Sequence, residues 1–305
     1  MFGAHMSIAG GLTNALDAAE ASKSECVQIF TRNQRQWKAK PIEAEEAAAW
    51  SSRLADLGWD DGVARVVTHN SYLVNLASAN DETRDKSIAA QRAELERCEA
   101  LAVPLCVAHP GAHLGTAPGR GKPLDLDAPL SADEEAGIDR IVAGLDAIHA
   151  DLGGYRVVTC LEATAGTGSN LGYAFHHLAT IRDRVRDPER IGFCIDTCHI
   201  TAAGYDLSTD HKAEQVIGQL IEVLGAEQVR VWHLNDSIGA CGSRTDRHAA
   251  IGEGECGTSC FRAIVNHPVF ADVPKILETP KGEDEKGRDL DVVNLQRLKR
   301  LIRRP

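Results

Sequence analysis

No apolar run approaches the roughly 20 residues needed to cross a bilayer, so no membrane partner is expected. No basic stretch precedes an apolar one in MFGAHMSIAGG, so no signal peptide is predicted. Positive charge is not in excess. There are 33 Lys and Arg against 44 Asp and Glu, a net charge of −11. That argues against a general nucleic-acid coat but leaves a local contact surface open. Disulfide-like spacing is also missing. The nine cysteines are an odd number and scattered, as expected of free thiols in a reducing cytoplasm. Cys194 with Cys198, and Cys256 with Cys260, have a spacing that could suit zinc; they read instead as buried small side chains, because Cys194 falls inside an apolar run. Finally, no shift in composition divides the chain. With 43% hydrophobic and 25% charged residues, the 305 residues read as one globular domain spanning 1–305.

What is present is a rhythm. Apolar runs occur at Phe2–His5, Cys26–Phe30, Val63–Thr68, Leu105–Ala108, Arg156–Leu161, Ile191–Ile195, Val229–Trp232 and Lys275–Leu277. Helical patterns fall between them, among them Glu43–Leu57, Asp81–Ala102, Tyr173–Val185, His211–Leu224 and Leu290–Ile302. Ser131 and Glu134 form a capping box that opens a further helix. Strand and helix alternating eight times is the pattern of an α/β fold, the (β/α)8 TIM barrel. Leu114–Leu130, rich in Gly and Pro, is expected to be an irregular excursion. The basic end Arg300, Arg303 and Arg304 reads as a solvated helix terminus.

The residues at the strand ends carry the chemistry. Six runs stop at His69, His109, Glu162, Asp196, His233 and Glu278. Three similar residues, His199, Asp246 and His248, lie in the segments after the sixth and seventh runs. Barrel strands present such groups at their C-terminal mouth. A lone strand-end histidine is usually structural, but six strand ends in register point to a metal cluster. Five imidazoles and four carboxylates without a thiolate suit Zn, Mn or Fe, and suffice for two or three ions. The polar and basic stretch Thr31–Lys38 has the side chains to reach phosphates or base edges, with Asn33, Arg35 and Gln36 among them.

These segments carry a family resemblance. GAHMSIAGG, IFTRNQRQW, THNSYLVNLAS, HPGAH, LEATAGTGSNLG, CIDTCHITAAGYDL, HLNDS, GSRTDRH, GEGECG and LETP span residue 3 to residue 280. The chain resembles the endonuclease IV family of apurinic/apyrimidinic-site DNA repair enzymes. The resemblance implies a TIM barrel with three zinc ions. His69 and His109 would hold the first. Glu162 would bridge it to a second, completed by Asp196, His233 and Glu278. His199, Asp246 and His248 would hold the third. Every ligand position of the family is filled. The implied reaction is hydrolysis on the 5′ side of an abasic site in duplex DNA, leaving a 3′-hydroxyl and a 5′-deoxyribose phosphate. Glu162 and Glu278 would be the catalytic carboxylates. Arg35, Tyr72 and Leu73 match the positions that enter the duplex, and Asn33, Gln36 and Arg247 are assigned to DNA contact with them. Arg32, Lys38 and Arg244 are expected to face phosphates as well. A monomer is expected. The sequence departs from the family in the composition of Leu114–Leu130 and in Lys281, which falls near the mouth. Two alternatives stand beside this reading: a metal-dependent sugar isomerase on the same barrel, and a catalytically silent lesion-binding protein.

Overall fold

The structure, a computed structural model, describes residues 1–117, 119 and 122–303. Pro118, Arg120 and Gly121 of the predicted excursion, and Arg304 of the basic end, lie outside the described residues.

The apolar runs form strands. They are β1 (Phe2–Met6), β2 (Cys26–Ile29), β3 (Val66–His69), β4 (Leu105–Ala108), β5 (Val158–Glu162), β6 (Ile191–Asp196) and β7 (Val229–His233). After β7 come two short strands, β8 (Asp236–Ser237) and β9 (His248–Ala249), and then β10 (Lys275–Leu277). All but β8 and β9 pair in parallel into a closed barrel ordered β1-β10-β7-β6-β5-β4-β3-β2. Closure is the pairing of β1 with β10, in which Phe2 lies opposite Lys275 and Ala4 opposite Leu277.

The helices are α1 (Thr13–Ala21), α2 (Ala44–Asp56), α3 (Asp81–Ala100), α4 (Ala132–Asp151), α5 (Phe175–Arg184), α6 (Thr197–Ala203), α7 (Asp210–Leu224), α8 (Gly257–Val265) and α9 (Leu290–Arg300). The capping box forms as the sequence predicts. The Ser131 side chain accepts from the Glu134 backbone N–H, and the Glu134 carboxylate accepts from the Ser131 N–H at 2.8 Å.

Two elements differ from the sequence reading. The segment after β6, for which the sequence pattern predicts no helix, is the helix α6, capped by the Asp196 side chain, which accepts from His199 N–H at 3.0 Å. Gly204 ends it at φ +129°, a left-handed value that favours glycine. The segment after β7, for which the sequence pattern predicts no strand, contains two. β8 and β9 pair antiparallel, setting Ser237 opposite His248.

Strand alternation produces two apolar regions. Outward residues such as Val27, Ile29, Leu161, Phe193 and Trp232 pack against the helices. Inward residues Cys26, Val67, Leu105, Val107, Cys160, Cys194, Val231 and Ile276 fill the barrel interior as a separate cluster. Two residues beyond six members of that cluster stand His69, His109, Glu162, Asp196, His233 and Glu278. The period of two that builds the plug therefore delivers a polar layer directly above it.

Candidate metal centre

Glu162 is the hub of that layer. It is fully buried at the end of β5. Its Oε2 lies 3.1 Å from His69 Nε2 and 3.1 Å from His109 Nε2. Its Oε1 lies 3.1 Å from His233 Nδ1 and 3.2 Å from His199 Nδ1. Burial alone would push this carboxyl up, but the neighbouring imidazoles, His233 foremost, hold it well below the usual range. Burial likewise opposes charge on His233, yet Glu278 and Glu162 raise it to about 9.

The other side chains gather on either side. His233 Nδ1 lies 3.2 Å from Glu278 Oε2 and 3.8 Å from Asp196 Oδ2. His199 Nε2 lies 3.2 Å from Asp246 Oδ1. His248 Nε2 stands 3.6 Å from both Asp196 Oδ2 and Asp246 Oδ1. All nine sequence-predicted ligand candidates thus meet in one place. Their atoms form overlapping groups: His69 with His109 and Glu162; Glu162 with Asp196, His233 and Glu278; and Asp196 with His199 and His248. Within each group the ligand atoms lie within 4.8 Å of one another. Asp246 joins the last group through His199 and His248. Cys198 and Cys194 also come within that range of such groups, but both thiols are buried and raised by burial.

The donor set fits divalent cations by two observations. His248 Nε2 is buried and has no hydrogen-bond partner, though it points between two carboxylates. The opposite nitrogens of several rings are engaged by acceptors, which leaves the cluster-facing nitrogens free to ligate. His69 Nδ1 meets Asn70 O at 2.7 Å, and His248 Nδ1 meets Glu278 O at 3.0 Å. Asn235 further steadies the acids, donating from Nδ2 to Asp196 Oδ2 at 2.7 Å and accepting from Glu278 N–H at 2.7 Å.

A cavity of about 270 Å³ opens onto this cluster, lined by Tyr72, His109, Glu162, His199, Asp246, His248 and Glu278. A wider cleft of about 690 Å³ adjoins it, with Thr164, Thr167, Asn170, Ser243 and Arg247 on its walls. Tyr72 is 56% exposed, its ring 5.0 Å from that of His69 and 5.6 Å from that of His109. Leu73 beside it is half-buried. Ser71 Oγ donates to Gln34 O at 2.6 Å, which sets the β2 and β3 loops side by side. Asn33, Arg35, Gln36 and Arg247 are exposed.

Two arginines do not do what the sequence suggested. Arg32 is buried, pairs with Glu94 at 3.2 Å, and donates to the carbonyls of Gln36 and Trp37. It braces the loop from beneath rather than facing a phosphate. Arg244 spends its guanidinium on the carbonyls of Gly166, Gly119 and Gly168, tying the adjoining loops together. Lys281 is paired with Asp291 at 2.7 Å.

A family model described as a xylose isomerase-like TIM barrel matches residues 16–298. The chain is 43% identical over 302 residues to a probable endonuclease 4 of Chloroflexus aggregans, covering 99% of this chain and 98% of that one. The chain belongs to the endonuclease 4 family. A second member, the probable endonuclease 4 of Geobacter sulfurreducens, is 41% identical, over 99% of this chain and 94% of its own length. Among solved structures, endonuclease IV from Thermus thermophilus superposes with a TM-score of 0.80 at 32% identity, covering 98% of each chain. A D-tagatose 3-epimerase-like protein superposes at 0.67 with 19% identity, a likeness of fold alone. The family match thus coincides with a mouth where nine acidic and imidazole side chains converge.

Proposed function

We propose that this endonuclease 4 family member hydrolyses the phosphodiester on the 5′ side of an abasic nucleotide in duplex DNA, using three zinc ions. The observation that carries the reading is one fully buried carboxylate, Glu162, within 3.2 Å of four imidazoles, with four further ligand candidates gathered beside them. His69 and His109 would hold one ion with Glu162. Asp196, His233 and Glu278 would hold a second with the same carboxylate. His199, Asp246 and His248 would hold a third. Bound there, the metals supply positive charge beside the scissile phosphate and make water a nucleophile near neutral pH.

The chain's own residues do the rest. Glu162 fixes the spacing of the two halves of the cluster. Glu278, at the rim of the barrel mouth, is placed to orient the attacking water. Tyr72 and Leu73 are positioned to fill the gap left by a missing base and to stack on its neighbours, while Arg35, Asn33, Gln36 and Arg247 line the approach. An abasic nucleotide has lost its own stacking, so it is less costly to turn out of the helix. The cavity of about 270 Å³ beside Tyr72 has room for an extruded sugar. The domain would span 1–305, and the nine free cysteines suit the reducing cytoplasm. The sugar-isomerase reading has only the shared barrel behind it.

The test is incubation of purified protein with a duplex bearing one abasic site, with and without chelator. Incision 5′ to the site, abolished by chelator and restored by zinc, is expected. An intact duplex under zinc-replete conditions would refute the assignment.

A further inference from the structure

The polar layer at the barrel mouth has eight inward positions, one from each strand. Six are the strand-end ligand candidates. The other two are His5 on β1 and Gln28 on β2, which lie opposite each other in register. Gln28 is fully buried inside an otherwise apolar strand. A buried primary amide needs partners for both its oxygen and its nitrogen.

It finds them in the cluster. Gln28 Nε2 donates to Glu278 Oε1 at 2.7 Å and meets His5 Nδ1 at 3.0 Å. Gln28 Oε1 meets His233 Nε2 at 2.8 Å. The amide orientation follows from the carboxylate, which accepts hydrogen bonds and cannot donate them. The nitrogen must therefore face Glu278, and the oxygen must face His233. An amide oxygen cannot donate either, so His233 Nε2 carries the hydrogen. That leaves His233 Nδ1 to face Glu162, Asp196 and Glu278. The same amide occupies Glu278 Oε1, leaving Oε2 as the free oxygen, 3.2 Å from His233 Nδ1. His5 completes the arrangement by accepting the second amide hydrogen.

We propose that Gln28 is a positioning residue for the metal centre. One amide sets which nitrogen of His233 and which oxygen of Glu278 would be offered to an ion held there with Asp196 and Glu162, and His5 holds that amide in place. The inference rests on the metal reading above. Partners of this kind, one bond removed from the metal, typically change metal affinity by about 10–100-fold when lost.

The experiment uses zinc-loaded protein and reads zinc release to a chromophoric chelator. Gln28→Met keeps the length and loses every hydrogen bond. Gln28→Glu keeps the shape and an acceptor for His233 but faces Glu278 with a second carboxylate. Thr159→Val is the control, a buried strand substitution away from the cluster. Both Gln28 variants should release one zinc about 10–100-fold faster than the parent. Their kcat should fall with KM for abasic duplex unchanged, and the visible spectrum of the cobalt-loaded form should shift. Thr159→Val should match the parent. Parent-like zinc release and cobalt spectra from both Gln28 variants would overturn the proposal, as would equally fast release from Thr159→Val. A parent protein that holds no zinc would instead overturn the metal reading, so the two failures are distinguishable.

Discussion

Replacing Glu162 by glutamine removes one charge and almost no volume. The side chain is fully buried, with two imidazole nitrogens 3.1 Å from Oε2 and two more at 3.1 and 3.2 Å from Oε1. A carboxylate offers acceptors on both oxygens, whereas an amide offers one acceptor and one donor. Both halves of the cluster lose their anionic ligand, and whichever way the amide turns, one of them meets an N–H instead. Removing one partner of a buried charged set costs about 3–5 kcal/mol. At about 1.4 kcal/mol per decade, cleavage should fall by roughly two to nearly four orders of magnitude if that loss is felt in the transition state. The assay is single-turnover incision of an end-labelled duplex with one abasic site, with chelator-treated parent enzyme as the floor. Circular dichroism checks the fold, and elemental analysis counts the metal. A Glu162→Gln variant that cleaves at close to the parental rate with its full metal content would refute the bridging role.

Tyr72→Ala and Leu73→Ala should weaken binding and incision of an intact abasic duplex, since stacking is worth about 1–3 kcal/mol per base. The effect should shrink on a nicked substrate, and a fall in metal content would show a structural role instead. Arg35→Ala and Arg247→Ala should each lower the slope of log affinity against log salt by about one, whereas unchanged slopes would remove both from the phosphate contacts. Arg32→Ala should act on stability, because it leaves the buried Glu94 without its paired cation, though still bonded by the Thr31 hydroxyl, and breaking such a pair costs about 3–5 kcal/mol. An unchanged melting temperature would contradict this. Zinc uptake should release protons. In the metal-free protein His233 is held at about 9 and His199 well above its ordinary value, both by neighbouring carboxylates acting against burial. Below those values protons compete with zinc, and above them competition vanishes, so affinity should fall as pH drops from about 8 to about 6. Competition titrations that give the same affinity at both pH values would exclude it.

The strands and the six candidate ligands at their ends were legible for one reason. In a parallel barrel the last inward residue of each strand reaches the mouth, so an apolar run that stops at His, Asp or Glu announces both the strand and its cargo. Helix α6 was not legible, because Thr197–Ala203 is short and buried throughout, without an amphipathic pattern. The β8–β9 pairing escaped notice because two residues per strand leave no periodicity to read. Arg32 and Arg244 were misplaced for a different cause. A cation in a polar loop has the same sequence appearance whether it meets water, DNA or a carbonyl beneath the loop. Gln28 was visible as the lone amide in CVQIF, but nothing in a single strand says which neighbours an inward amide will meet.

The closure of the barrel between β1 and β10 has a consequence for how the protein is made. Phe2 pairs with Lys275, and Glu278 follows that strand directly. At a synthesis rate of about 5–20 residues per second, β10 emerges roughly fifteen seconds to a minute after β1. Until then the growing chain has an open sheet with two unpaired edges, and its cluster lacks the carboxylate of Glu278. Ring closure is a contact of very long sequence separation, the slow kind to form. The event that seals the sheet and the event that completes the metal centre are therefore the same one. A ribosome-bound fragment should carry most of the ligands yet make no cuts, and the nuclease should switch on in a single step when its final strand docks.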